Sequence, residues 1–167
     1  MIKVLKENLV SPAMVRDFFR EFDMMRNLKH KTLLNYWSFK DDGVGRHQIE
    51  KFIILSHDVS YIEMEYCSKG TLFDLLFEQG SFTETSAHYL FTQLLDGVSY
   101  LHSKGYSHRD LKLENILISD NYHLKIIDFG FCTNLKKSTD FHVGTRYYNP
   151  PEIHSKIAYS CPAADLW

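Results

Sequence analysis

The chain has 167 residues, 44% of them hydrophobic and 24% charged, which is the make-up of an ordinary globular domain. Lys and Arg number 19 against 21 Asp and Glu, with 10 basic and 8 acidic groups in residues 1–60 and 9 and 13 in the rest, so neither part carries the cationic field that nucleic acid or an anionic membrane requires. No apolar run approaches the roughly 18 residues of a membrane helix, and Met1 is followed by Lys3 and Lys6 without an apolar signal core, so a cytoplasmic or nuclear location is expected.

Cys67, Cys132 and Cys161 are too widely spaced for a disulfide framework or a CxxC metal pair, and reduced thiols packed as small apolar groups are expected. The nine histidines contain no H-E-x-x-H and read as scattered, mostly surface residues. The length predicts about one domain. Yet Met1-Ile2-Lys3-Val4-Leu5 reads as the interior of a strand, and Asp165-Leu166-Trp167 as the start of an apolar segment. Neither end has the look of a natural boundary.

In chain order, Ser11-Pro12 is a helix start, with an N-cap oxygen and a proline at the first helical position. Met14, Phe18, Phe22, Met25 and Leu28 then follow helical spacing. Glu21 falls at the margin of that apolar stripe, where a carboxylate wants a cation. Runs rich in aromatic and β-branched residues at Tyr36 to Phe39, Phe52 to Leu55 and Tyr61 to Tyr66 predict antiparallel strands, with Asp41-Asp42-Gly43-Val44-Gly45 as a turn. Past Lys69-Gly70 the pattern becomes helical: Leu72 to Leu76 is short, and Ala87 to Leu101 is long and ends at Lys104-Gly105. A small strand-rich lobe therefore joins a mainly helical one near residues 66–70. Ile116-Leu117-Ile118 and Leu124-Lys125-Ile126-Ile127 flank Ser119-Asp120-Asn121-Tyr122 and predict a hairpin.

The chemistry is concentrated in His108-Arg109-Asp110-Leu111-Lys112-Leu113-Glu114-Asn115 and in Asp128-Phe129-Gly130. Two carboxylates, an ammonium and an amide fall on loops at the ends of one hairpin. Carboxylate and amide oxygens are hard ligands suited to Mg²⁺, and an ammonium can neutralise charge on a transferred phosphoryl group.

H-R-D-L-K-x-x-N, then D-F-G a hairpin later, then Gly144-Thr145 and Pro151-Glu152, resemble in their order the eukaryotic protein kinase family, over essentially the whole chain. The resemblance implies an α+β, two-lobed protein-kinase-like fold, incomplete at both ends. Residues 1–66 would be a partial N-lobe from the third strand, and residues 67–167 a partial C-lobe ending as a core helix starts. It also implies ATP and Mg²⁺ as cofactors and proteins with Ser/Thr acceptors as substrates, with no nucleic-acid partner and no membrane span.

By position, Asp110 resembles the aspartate that orients the substrate hydroxyl and accepts its proton, Lys112 the lysine at the γ-phosphate, and Asn115 and Asp128 the Mg²⁺ ligands, with Phe129 packing inward. Lys112, two places after Asp110, follows the Ser/Thr pattern, and Thr145 is expected to contact both. Lys3, in Ile2-Lys3-Val4, resembles the phosphate-binding lysine, which gives Glu21 its cation. Met64 resembles the gatekeeper, with the backbone of Glu65 and Cys67 meeting adenine, and Leu117 joins this cofactor-binding set. Leu72-Phe73-Asp74-Leu75 and Tyr106-Ser107 are closest in style to the calcium/calmodulin-dependent or AMP-activated branch. Glu114 could face a basic peptide residue, although Thr71 lies near where arginine-directed relatives place a glutamate.

Phe131 to Asn149 would be the activation segment. Arg109 is the feature of kinases whose segment is ordered by an Arg-paired phosphate. Ser138 and Thr139 are the candidate acceptors, with Thr133 behind them, but Phe141 occupies the place where many relatives carry the phosphorylatable threonine. Either Thr139 substitutes, Asp140 supplies a fixed negative charge, or the segment needs no phosphate. Asn149-Pro150-Pro151-Glu152 also departs from A-P-E. No G-x-G-x-x-G precedes Lys3, and Gly43-Val44-Gly45 is no substitute. The expectation is a fragment of an active Ser/Thr kinase. The competing expectation, a kinase-like pseudoenzyme or a binding or scaffold module, is opposed by the intact Asp110, Lys112, Asn115 and Asp128.

Overall fold

The β-branched and aromatic runs of the first third do pair as strands in the computed structural model, which describes residues 2–6, 21–42, 47–49, 52–54 and 59–167. For 2–6, 38–42, 47–49, 52–54 and 59–62 the backbone alone is described. Strand β1 (Ile2–Lys6), β2 (Tyr36–Asp42) and β5 (Val59–Met64) form an antiparallel sheet in the order β1-β5-β2. Strands β3 (His47–Ile49) and β4 (Phe52–Ile54) pair with each other.

Two expectations shift here. Asp41 and Asp42 belong to β2, opposite Ser60 and Val59, and not to a turn; β5 starts early enough to take up their backbone groups, and ladder hydrogen bonds override the turn preference of aspartate. The last expected strand also stops at Met64, because the Glu65 N–H donates to the Asn35 carbonyl (2.9 Å) and its carboxylate accepts from Asn35 Nδ2 (2.8 Å). Residues 21–25 are helical. The expected start of that helix at Ser11-Pro12, the glycines of the Asp41–Gly45 turn and Leu55 lie outside the described residues.

The chain divides into two compact units, 1–28 with 35–66, and 29–34 with 67–167. Residues 29–34 sit with the second unit for a visible reason. Leu34 N–H donates to the Ile126 carbonyl (3.1 Å), Ile126 N–H donates to the Thr32 carbonyl (2.8 Å), and His30 stacks on Tyr100 at 4.7 Å.

In the second unit, helix α1 (Leu72–Gln79) starts with a capping box: Thr71 Oγ1 accepts the Asp74 N–H, and the Asp74 carboxylate accepts the Thr71 N–H. It stops at Gly80, whose φ of 78° suits a residue without Cβ. Helix α2 (Glu84–Ser103) starts at Thr83 and ends before Gly105 at φ 80°. One face of this pair meets the hairpin of β6 (Ile116–Ile118) and β7 (Leu124–Ile126), giving a core of Leu72, Leu90, Ile116, Ile118 and Leu124.

Gly97 lets α2 approach closely: a Cβ there would lie 2.9 Å from Ile126 Cδ1 and 3.1 Å from Thr32 Cβ. Further along, β8 (Lys137–Ser138) pairs with β9 (Tyr159–Ser160), flanked by the short helices α3 (Pro151–His154) and α4 (Cys161–Ala164). Val143, Ile153, Tyr159 and Cys161 form a second small core. All three cysteines are buried and none is in a disulfide, as expected. Among the described residues, no helix is long and apolar enough to cross a membrane.

Candidate active site

Beyond Gly105 the chain turns sharply, and Arg109 takes φ 66°, a left-handed conformation that costs a non-glycine residue about 1–2 kcal/mol. Polar contacts hold it there. The Asp165 carboxylate, fully shielded from solvent, accepts the N–H of His108 at 2.8 Å and of Arg109 at 2.7 Å, and His102 Nε2 lies 2.8 Å from it. His108 itself is fully buried, an exception to the expected surface histidines. Both ring nitrogens are satisfied, which makes the burial tolerable: Nδ1 accepts the Asp110 N–H (3.2 Å), so Nε2 carries the proton and donates to the Ile127 carbonyl (2.9 Å). The ring meets Phe129 edge-on at 4.9 Å.

On this support, Asp110 is 5% exposed. Its Oδ1 accepts from the Thr145 hydroxyl (2.8 Å), and its Oδ2 accepts from Lys112 Nζ (3.0 Å) and Asn115 Nδ2 (3.0 Å). Lys112 Nζ also donates to Thr145 Oγ1 (2.6 Å), which closes a ring of three side chains. The expected contact of Thr145 with both Asp110 and Lys112 is therefore present. Asn115 sits in a single 3₁₀ turn (Leu113–Asn115), and its Nδ2 also donates to the Asp110 carbonyl (2.9 Å). Thr145 is delivered by Gly144, at φ 65°, where a Cβ would lie 2.5 Å from the Arg109 carbonyl oxygen. No side chain fits at that approach.

The hairpin carries the other half of the site. Ile127 N–H donates to the Asn115 carbonyl (3.0 Å), which fixes the strand end beside the loop. The next residue, Asp128, is exposed and takes φ 61°, while Phe129 turns inward to 1% exposure. Non-glycine residues in this region of φ, ψ gather at functional sites, and two of the four in the described chain are Arg109 and Asp128. Glu114 is exposed and accepts from Tyr148; burial first and that carboxylate second push the Tyr148 phenol above its usual range.

Among the remaining predicted residues, Cys67 and Leu117 are buried in the second unit, Leu117 bridging to Thr71. Glu21, Met64 and Glu65 belong to the first unit, as does Lys3 in β1 opposite Ile62. The Lys3 side chain lies outside the description. Glu21 is 3% exposed and accepts from the Tyr36 hydroxyl at 2.8 Å. In the sequence Asp165 stands only at the start of an apolar segment and carries no role; it lies 56 and 57 residues from the amides it holds.

A strand-rich unit and a mainly helical one, with H-R-D and D-F-G on loops flanking a single hairpin, is the arrangement of the protein kinase class. A family model described as the protein kinase domain matches residues 1–167, and the chain belongs to that family. It is 36% identical over 151 residues to the maternal embryonic leucine zipper kinase of Xenopus tropicalis, covering 88% of this chain and 21% of that protein. It is 34% identical to CBL-interacting protein kinase 15 of Oryza sativa subsp. japonica (97% of this chain, 35% of that protein). With the CBL-interacting serine/threonine-protein kinase 8 of Arabidopsis thaliana it shares 33% identity over 97% of this chain and 34% of that protein. The chain thus spans between about a fifth and a third of these relatives. They agree with the Ser/Thr type and the branch that the sequence resembles. ATP, Mg²⁺ and protein substrates go with the family in general.

Proposed function

We propose that this chain carries the catalytic loop of a protein serine/threonine kinase, which transfers the γ-phosphoryl group of ATP to a Ser or Thr hydroxyl. The observation that carries the reading is the closed ring of Asp110, Lys112 and Thr145. A carboxylate offers about four acceptor sites, and three donors occupy Asp110 among the described residues. The last site is where a substrate hydroxyl would be oriented and its proton accepted. Lys112 has three N–H donors, two of them engaged by Thr145 and Asp110, and the third would meet the γ-phosphate.

Asn115 supports a role as a cation ligand. It is 5% exposed, both Nδ2 hydrogens go to Asp110, and among the described residues no donor reaches its Oδ1. A buried hard oxygen left over in this way, with the exposed Asp128 carboxylate as second ligand, fits Mg²⁺, which takes few protein ligands beside phosphate oxygens. When bound, the ion would offset charge on the phosphates.

Lys3 would hold the α- and β-phosphates with Glu21 as its partner, Met64 would be the gatekeeper, and Leu117 would pack against adenine. The Glu65 N–H already donates to Asn35, so a contact from its backbone to adenine would run through the carbonyl, with Cys67 offering the second contact. Three buried thiols outside any disulfide agree with a reducing compartment, cytoplasm or nucleus. The competing reading, a pseudoenzyme or docking module, is disfavoured because Asp110, Lys112, Asn115 and Asp128 are all present. The test is Mg-ATP-dependent phosphorylation of Ser, Thr and Tyr peptides by the full chain: transfer to Ser or Thr, lost on Asp110→Asn, is expected. ATP binding without transfer to any peptide would favour the docking module.

A further inference from the structure

The guanidinium of Arg109 is held by neutral groups. Its Nε donates to the Phe131 carbonyl (2.8 Å) and its Nη1 donates to the Tyr159 hydroxyl (3.1 Å). Among the described residues, no carboxylate lies within ion-pairing distance of it. Tyr159 then donates its own proton to the Asp140 carbonyl (3.0 Å), so one hydroxyl links the residue before Asp110 to the segment that leads to Thr145.

The ring is 3% exposed and belongs to the core of Val143, Ile153 and Cys161. Its backbone pairs with Ser138, and Cys161 N–H donates to the Lys136 carbonyl (3.0 Å), so the hydroxyl has a fixed position on both sides. Of the groups that would bring negative charge to Arg109, Asp140 and Ser138 make hydrogen bonds within their own segment. Asp140 Oδ1 accepts the His142 N–H (3.2 Å), and Ser138, 8% exposed, accepts the Asp140 N–H (3.0 Å). Thr139 is exposed.

We propose that Tyr159 is a positioning residue that orders the activation segment without phosphate, its hydroxyl joining Arg109 to Asp140 where a phosphate would otherwise bridge arginine and loop. The linkage fixes both ends of the Thr145–Asp110 contact: Arg109 precedes Asp110 directly, and Asp140 lies five positions before Thr145. Of the three ways in which the sequence leaves the segment open to ordering, this selects the one that needs no modification. The inference rests on the kinase reading of the same site.

The test compares phosphate-free full chain, verified by mass, with Tyr159→Phe, which removes one oxygen and keeps the ring. Hydrogen exchange is read first, because it does not depend on activity. The Asp140 and His142 amides should lose protection by about tenfold in Y159F while α2 keeps its own, which also shows that the variant is folded. Kinetics are read second. Phosphate-free wild type should be fully active, Thr139→Ala should stay within about twofold of it, and Y159F should lose about tenfold in kcat with KM for ATP unchanged. A merely structural role would lower thermal stability without that split.

The proposal is overturned if Y159F leaves exchange at 140–142 unchanged, if it keeps full kcat, or if phosphate-free wild type gains tenfold or more on modification of Thr139. Should Y159F fail to fold, phosphate-free wild type against wild type modified on Thr139 decides: equal kcat supports the proposal, and a gain of tenfold or more overturns it. If exchange responds as expected but no form transfers phosphate, the ordering role of Tyr159 stands and the kinase reading falls.

Discussion

The loop 108–115 and the helix pair 72–103 lie in the same unit and are built on opposite principles. The helices begin at threonine caps, end at glycines and bury leucines against a hairpin, so their stability comes from area and from local rules. The loop has almost no regular structure beyond one 3₁₀ turn. It holds a strained arginine by donating the N–H groups of His108 and Arg109 to one distant carboxylate, and it fixes its aspartate with three donors. Substitutions should therefore separate: in the helices they should move stability and spare turnover, and in the loop the reverse.

The largest separation is expected at Asp110. Asp110→Asn keeps the shape but removes the charge and the acceptor, and kcat should fall by about 10²–10⁴. Peptide phosphorylation measured beside thermal unfolding checks this, and retained turnover would sink the role given to Asp110. Gly144→Ala comes next. Its Cβ would meet the Arg109 carbonyl oxygen at 2.5 Å, so Thr145 must move, and a misplacement of about 1 Å at such a site can cost about 10²-fold in rate. The same assay, with KM for ATP as the control, distinguishes this from a general loss of fold.

Gly97→Ala sharpens the comparison from the other side. The added methyl would crowd Thr32 and Ile126, and overpacking of this sort typically costs about 1–3 kcal/mol. Chemical denaturation should show the loss while kcat of the folded fraction stays unchanged.

The smallest effect is at the α1 cap, where Thr71→Ala should cost about 1 kcal/mol. Its pH dependence has a definite sign. Hydrogen bonds from the Thr71 side chain first, and from its backbone second, hold the Asp74 carboxyl below its ordinary 3.8. The contribution is therefore present above that ordinary value and lost as pH falls through the lower folded one. The gap between wild type and T71A should narrow in acid by the part that the Asp74 carboxylate supplies, and the part due to the Asp74 N–H on Thr71 Oγ1 should remain; a gap unchanged by pH would contradict the carboxylate's share in this cap.

How far all this could be read in advance follows the same division. Helices α1 and α2 and the hairpin were legible because caps, spacing and turn residues act over a few positions, and the inward Phe129 only through resemblance. The Thr145 contacts and the membership of Asp110, Lys112, Asn115 and Asp128 in one motif set were legible through resemblance. What escaped is carried by contacts between distant parts of the chain. Nothing near Asp165 signals that it caps amides 56 and 57 residues away. Tyr159 carries no role in the sequence until β9 meets β8, and His108 looks like a surface histidine until Asp110 and Ile127 close on its ring. The two aspartates of β2 mislead for a related reason: their partners Ser60 and Val59 come later in the chain, and pairing outweighs local preference.

The reach of Asp165 also bears on how the protein is made. The helices can form from residues already at hand, but the turn at Arg109 has no cap until the carboxylate more than fifty residues downstream has left the ribosome. At roughly 5–20 residues per second, this leaves an interval of several seconds in which α2 has its sequence complete and the catalytic loop does not. A nascent chain arrested before residue 165 should thus show protected α2 amides and an unprotected Arg109.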